Sequence, residues 1–229
     1  MGAVISVLSF DHDMDVSDRN PNRLFVSGSV LAAAGKVVRS DDGGSSWTTI
    51  FTASDSFTEV EAVFLPYNGN DSDQIIIIGG ELTTRDKADI KKTTNGGGSW
   101  TSIAPTFNHG SSDPDGLLNS GMITGNVSGG SLYFLGRLPG LGESGMHLFR
   151  SQDGGASWAN QYDFATQQVA SLGLFPGNDL QLLLITNLAV EGRLIQSVDG
   201  GLTWQDKTGD FSSVLPGAAR TIVPVWTEP

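Results

Sequence analysis

One eight-residue pattern occurs four times in this chain, always in the same register. The copies are Ser40-Asp41-Asp42-Gly43-Gly44-Ser45-Ser46-Trp47, Thr93-Thr94-Asn95-Gly96-Gly97-Gly98-Ser99-Trp100, Ser151-Gln152-Asp153-Gly154-Gly155-Ala156-Ser157-Trp158 and Ser197-Val198-Asp199-Gly200-Gly201-Leu202-Thr203-Trp204. Each reads S/T-x-D/N-G-G-x-S/T-W. The closing tryptophans are 53, 58 and 46 residues apart and account for four of the five in the chain. A fixed period of this size marks a repeated supersecondary unit, and about 40–50 residues is the length of four short strands and their turns.

The residue types in the pattern have a local physical reason. Asp or Asn is a short acceptor that takes backbone N–H groups two residues on and so fixes a turn. The glycine pair supplies positive φ without a Cβ penalty. The hydroxyl residue closes a further local bond. Tryptophan places a large ring under the hairpin, burying roughly 150–250 Å². The segments between copies are rich in Val, Ile, Leu and Phe and bounded by Gly, Pro, Asn and Asp, as strands are. They predict strands over residues 4–10, 23–29, 36–40 and 47–52; over 60–65, 74–79, 90–94 and 100–104; over 121–124, 132–136, 147–151 and 158–162; and over 169–175, 180–186, 193–197 and 204–207. Helix is expected only as a turn near residues 211–215. Glycine at 30 of 229 residues is about twice ordinary usage, which suits many tight turns and not a helical bundle.

The four copies resemble the Asp-box, or BNR, repeat of the β-propeller superfamily that includes sialidases, sortilin-type receptors, xyloglucanase-type glycosidases and photosystem assembly factors. The resemblance runs through nearly the whole chain. It implies an all-β fold: a β-propeller of four-stranded antiparallel blades, with four Asp-box blades plus one extra strand, hence a partial or small propeller. The expected organisation is a single domain over 1–229, with blades near 1–57, 58–110, 111–165 and 166–214. A closing or next-blade strand occupies 215–229, around Arg220–Trp226. The resemblance also implies that Ser40, Asp42, Gly44, Trp47, Thr93, Asn95, Gly97, Trp100, Ser151, Asp153, Gly155, Trp158, Ser197, Asp199, Gly201 and Trp204 are structural. They would staple hairpins on the outer rim, far from any central pocket. Asn95 fits this reading, since a catalytic acid does not freely become an amide.

Composition narrows the function classes. Thirteen basic residues against 25 acidic ones give a net charge of −12. Such a surface repels phosphate backbones and anionic lipid, so neither nucleic acid nor membrane insertion is expected. Cysteine is absent, which removes disulfides, thiol nucleophiles and Cys-based metal sites. His12, His109 and His147 lie far apart in sequence and lack metal-ligand spacing; no metal and no cofactor is expected. No signal peptide is visible. A composition rich in Ser, Thr, Gly and Asn and poor in Lys leans towards an extracellular or virion setting.

Catalysis by a glycosidase needs two carboxylates about 5–5.5 Å apart for retention, or about 6.5–9.5 Å for inversion. Candidates at the ends of first strands are Asp11, Asp13, Asp15, Glu59 and Glu61, of which Asp11, Asp13 and Glu61 stand foremost. The run Asp11-His12-Asp13-Met14-Asp15 also reads as a solvated interstrand loop. Sialidases of the superfamily carry an Arg-x-Pro motif before their first box. Arg137-Leu138-Pro139 matches by letters but falls between the second and third copies, which favours a simple turn. Every strong motif is thus a rim staple. The sequence favours a non-catalytic binding or assembly module for a protein or glycan partner, able to self-associate to complete the ring. Glycoside hydrolysis is the alternative.

Overall fold

The computed structural model describes residues 14–16, 20–28, 34–53, 59–64, 76–81, 88–103, 119–126, 131–137, 146–164, 168–175, 178–187 and 192–209, and all structural statements below concern them. They form sixteen strands and no helix. The strands are β1 (Met14–Val16), β2 (Leu24–Gly28), β3 (Lys36–Ser40), β4 (Thr48–Thr52), β5 (Glu59–Phe64), β6 (Ile76–Glu81), β7 (Ala88–Thr93), β8 (Thr101–Ser102), β9 (Asn119–Asn126), β10 (Ser131–Arg137), β11 (His147–Ser151), β12 (Ala159–Asp163), β13 (Gln168–Leu174), β14 (Leu182–Asn187), β15 (Gly192–Ser197) and β16 (Gln205–Asp206). They make four four-stranded sheets, each an antiparallel meander in chain order: β1–β4, β5–β8, β9–β12 and β13–β16.

Meanders follow from the turn chemistry, because antiparallel neighbours need only short connections. The third and fourth strands of every sheet are joined by one copy of the repeated pattern. All eight glycines of the four Gly-Gly pairs have positive φ, between 66° and 99°. A side chain there would strain the backbone.

One sequence expectation shifts. The first described strand is Met14–Val16, so the acidic run ends inside a strand instead of forming a loop throughout. Pairing explains this: Met14 opposes Val26 and Val16 opposes Leu24, which extends the β2 ladder. Residues 4–10 and the two tail features, near 211–215 and 220–226, lie outside the described residues.

The chain divides into two compact units, Met1–Gly121 and Met122–Pro229. In the first, Val26 and Val38 pack with Trp47, while Phe25 and Val37 pack with Ile50, Phe51 and Trp100. Adjacent residues of β2 thus face opposite ways and both meet apolar partners. The middle strands therefore read as unbroken apolar runs, as strands buried on both faces do. In the second unit Tyr133, Leu135, Met146, Leu148, Phe164, Val169, Leu174, Leu182 and Leu184 form one core spanning the third and fourth sheets. Each fully buried ring or aliphatic chain contributes roughly 1.5–3 kcal/mol of transfer free energy.

A bulge joins sheet to sheet inside each unit. Val37 pairs with Phe51 and Val38 with Thr49, so Ile50 is the extra residue on β4. Leu148 pairs with Tyr162 and Phe149 with Asn160, so Gln161 is the extra residue on β12. Both lie three positions after a repeat tryptophan. A Cβ on Gly97 would sit 3.0 Å from the Cβ of Ile50, and one on Gly201 would sit 3.7 Å from that of Gln161. The bulged side chain of one sheet therefore meets the second glycine of the next repeat turn.

Candidate functional site

The repeat turns are built around the first hydroxyl of each copy. Ser40 Oγ donates to Asp42 Oδ1 at 2.8 Å and accepts the Gly44 and Asp42 amides at 2.8 and 3.3 Å. Thr93, Ser151 and Ser197 do the same for Gly97, Gly155 and Gly201, at 3.1, 2.8 and 2.8 Å. All four hydroxyl residues are buried. A buried hydroxyl must be hydrogen-bonded or it costs roughly 1–3 kcal/mol, and these have one donation and two acceptances each. The acidic residue reaches further than its sequence suggests. Its Oδ1 takes the amide four positions on, at 2.8 Å from Ser46, 2.8 Å from Ser157 and 2.9 Å from Thr203. Its Oδ2 takes the hydroxyl of the same residue, at 2.6, 2.5 and 2.5 Å. The nearer amides go to Ser or Thr because that hydroxyl lies beneath the turn.

These bonds hold the carboxylates charged. The pKa values of Asp42, Asp153 and Asp199 fall to about 2, chiefly through the hydroxyls of Ser46, Ser157 and Thr203, then through the amides of the same residues. Asn95 makes the same set with one reversal: its Oδ1 accepts Thr93 Oγ1 and the Ser99 amide, while its Nδ2 donates to Ser99 Oγ at 3.0 Å. The unfolded carboxylate titrates near 3.8 and the folded one near 2, so the native state binds fewer protons between them. The contribution is complete above about pH 4 and is lost as pH falls towards 2. Amide resonances of Ser46, Ser157 and Thr203 are expected to titrate together near pH 2, with Ser99 flat. A shared midpoint near 4 would show that the carboxylates are not so held.

The indoles of the four copies are half-buried, less than a core role predicts. Trp47 and Trp204 donate to the second-glycine carbonyls of their own turns, Gly44 and Gly201, both at 3.1 Å. Trp100 donates instead to Ile50 O of the preceding sheet at 3.2 Å and meets Phe51 edge-on. Trp204 packs on Tyr162 and Phe164, also of the preceding sheet.

The catalytic candidates are placed unequally. Asp11 and Asp13 lie outside the described residues. Asp15 stands in the middle of β1 opposite Phe25. Glu59 opens β5, opposite Glu81, and Glu61 is the extra residue of a bulge between Val60 and Ala62. β5 lies beside β1 and β2, so Asp15, Glu59 and Glu61 are carried on neighbouring first strands of two sheets. Arg137 ends β10; Leu138 and Pro139 are not among the described residues. Among the described residues no three His, Asp or Glu side chains converge as metal ligands would, and no helix is long and apolar enough to cross a membrane.

Three features escape sequence reasoning. Asn20 and Asn178 begin matching turns, their Oδ1 atoms accepting the amides of Asn22 and Leu180, both at 3.1 Å. The carbonyls of Asn22 and Leu180 then accept the first-glycine amides of Gly43 and Gly200, both at 2.8 Å. The shared signal was Asn followed two residues later by the bonded amide, in Asn20-Pro21-Asn22-Arg23 and Asn178-Asp179-Leu180-Gln181. In the second unit Tyr133 donates to Asp179 O at 2.5 Å beneath the guanidinium of Arg150, which lies 5.6 Å from the ring centre. Burial, first of all, raises the Tyr133 pKa to about 12. His147, almost wholly buried, has Nδ1 2.5 Å from Asp163 Oδ1, and Asn160 Nδ2 donates to the same oxygen at 2.7 Å. Partial burial opposes the charge of Asp163; its bonds to Asn160 and His147 outweigh that and lower its pKa.

Comparison with solved structures now bears on the arrangement. The chain superposes on the GH74 enzyme of Niastella koreensis with TM-score 0.57 at 21% identity, covering 85% of this chain and 29% of that one. It superposes on an ancestral GH74 enzyme with TM-score 0.60 at 17% identity, covering 86% and 25%. The exo-β-1,3-galactanase of Phanerochaete chrysosporium gives 0.57 at 11% identity, covering 88% and 50%. The fold is that of a β-propeller. Each four-stranded sheet is a blade, and the repeat turns connect the third and fourth strands of each blade. The chain spans between a quarter and a third of the GH74 enzymes it matches. No family model matches the sequence, and no curated protein matches it.

Proposed function

We propose that this chain is a glycan-active propeller module of the glycoside hydrolase type. The observation that carries this reading is the contact of β5 with β1, which sets the carboxylate positions Asp15, Glu59 and Glu61 on neighbouring first strands. Packed sheets stand about 10 Å apart. Carboxylates carried on two such strands have the reach to stand 5–9.5 Å apart across a sugar, one as general acid and the other as nucleophile or base. Glu61 sits at a bulge, and bulges gather next to active sites because they re-aim a side chain. Asp11 and Asp13 precede β1 in the sequence and lie outside the described residues. Likeness to glycoside hydrolases in fold supports the choice of substrate class.

The second reading is a non-catalytic binding or assembly module within a single propeller domain over 1–229. What favours it is the state of the repeat turns: Asp42, Asp153 and Asp199 are each engaged by the hydroxyl and amide groups of their own turn, so they act as staples and not as catalytic acids.

One experiment separates the two. The purified chain is incubated with a panel of β-glucans and β-1,3-galactan, and reducing ends and binding are measured together. Hydrolysis predicts sugar release that falls about 100-fold or more in Glu61→Gln, without loss of thermal stability. Retention of glycan with no release assigns the binding module. Neither release nor retention on any glycan overturns both glycan readings.

A further inference from the structure

The four repeat turns serve as controls for one another, and the fourth differs where it faces solvent. Its second and sixth positions are Val198 and Leu202, 58% and 56% exposed. The same positions hold Asp41 and Ser45, Thr94 and Gly98, and Gln152 and Ala156 in the other copies. The fourth turn has the same hydrogen bonds as the first and third, at 2.8, 2.8 and 2.9 Å, so its geometry does not require apolar residues there. Leu180, 41% exposed, adjoins them: its carbonyl accepts the Gly200 amide, and its Cδ2 lies 3.2 Å from where a Gly200 Cβ would stand. Three large aliphatic side chains thus stand around Gly200, where the other copies carry only small or polar residues.

Charge selects what covers them. Asp179 and Asp199 are the chain neighbours of Leu180 and Val198. Arg150 lies under the turn, its Nη1 3.0 Å from the Gly200 Cβ position, and offsets one of them. The local balance stays acidic within a chain of net charge −12. A second copy brings the same −12 and the same aspartates. Residues 210–229 carry Asp210 and Glu228 against Arg220 alone. Neither complements the patch. We propose that Leu180, Val198 and Leu202 form a docking surface for a basic, apolar segment of a partner protein. Its aliphatic side chains cover the three residues, and its Lys or Arg residues face Asp179 and Asp199. Steering by opposite charge raises the association rate, and the apolar contact sets the residence time.

The test uses the full chain and a phage-displayed library of random twelve-residue peptides. Selection is expected to enrich sequences that combine Leu, Ile or Val with Lys or Arg. A synthetic peptide of the enriched sequence is then titrated against the wild type and the double variant Val198→Thr, Leu202→Ser, whose new residues come from the other turns and leave the bonded positions intact. Affinity is expected to fall at least 10-fold in the variant at unchanged melting temperature, and to weaken with added salt. Three results overturn the proposal. One is enrichment of no sequence, of acidic sequences, or of sequences that bind the variant equally well. Another is a dimer by light scattering that the variant abolishes, which gives the patch to a second copy. The third is peptide binding only after residues 210–229 are removed, which gives it to the chain's own tail.

Discussion

Replacing Trp204 with alanine is expected to lower stability by about 3 kcal/mol, a melting-temperature loss of roughly 6–12 °C for a domain of this size. The indole is half-buried, so the transfer contribution falls short of that of a core tryptophan. It also meets Tyr162 and Phe164, with ring centres 6.2 and 5.6 Å away. Each such aromatic pair adds about 0.5–1.5 kcal/mol beyond burial. Trp47 packs on Val26 and Val38 of its own blade and has no aromatic pair among the described residues. The cost at Trp47 should therefore be smaller. Thermal unfolding of both variants checks this ordering; equal small losses would remove the role given to contact between blades.

The second large effect is at Gly201. Its φ is +92°, and an added Cβ would lie 2.4 Å from Leu148 Cδ2. Leu148 is fully buried, so it has little room to yield. Backbone strain of about 1–3 kcal/mol and overpacking of about 1–3 kcal/mol combine in Gly201→Ala, for an expected loss of about 4 kcal/mol. Gly209 is the control. It also has positive φ, at +45°, but a Cβ there meets nothing within 4 Å. Gly209→Ala should cost only about 1 kcal/mol, from the backbone alone. Chemical denaturation of the two variants separates strain from crowding. Similar losses at both positions would mean that the contact with Leu148 relaxes freely.

The residues that showed themselves in the sequence are those whose job is local. A strand over 36–40 and another over 147–151 could be read to the residue, because the turn that follows each is fixed by Ser, Asp and Gly within eight positions. The all-β class and the four-stranded unit followed from the same turns. Bulges at Ile50 and Gln161 could not be read, since nothing in Thr-Thr-Ile-Phe or Ala-Asn-Gln-Tyr tells an extra residue from a paired one. They arise where one blade must meet the glycine pair of the next. The Tyr133–Arg150 contact was hidden for a similar reason. Seventeen residues separate the two, and only the β10–β11 register sets them opposite each other. The proposed carboxylate group was half legible. Asp15, Glu59 and Glu61 stood out as acids at the ends of first strands, but that β5 lies beside β1 depends on one sheet packing against another.

The bulge-to-glycine joint also bears on how such a chain can grow by duplication. Copying one whole blade, from its first strand to its fourth, carries along a glycine turn and a bulged strand that fit different neighbours. The copied turn then faces whatever strand now precedes it. The segment that inherits a working joint is offset: it runs from one bulged strand through the next glycine pair, as from Ile50 to Gly97 or from Gln161 to Gly201. Ile50 and Gln161 differ, and so do the turns that receive them. Exchanging Gln161 for isoleucine would therefore put a β-branched side chain against the Gly201 turn, where Gln161 now stands.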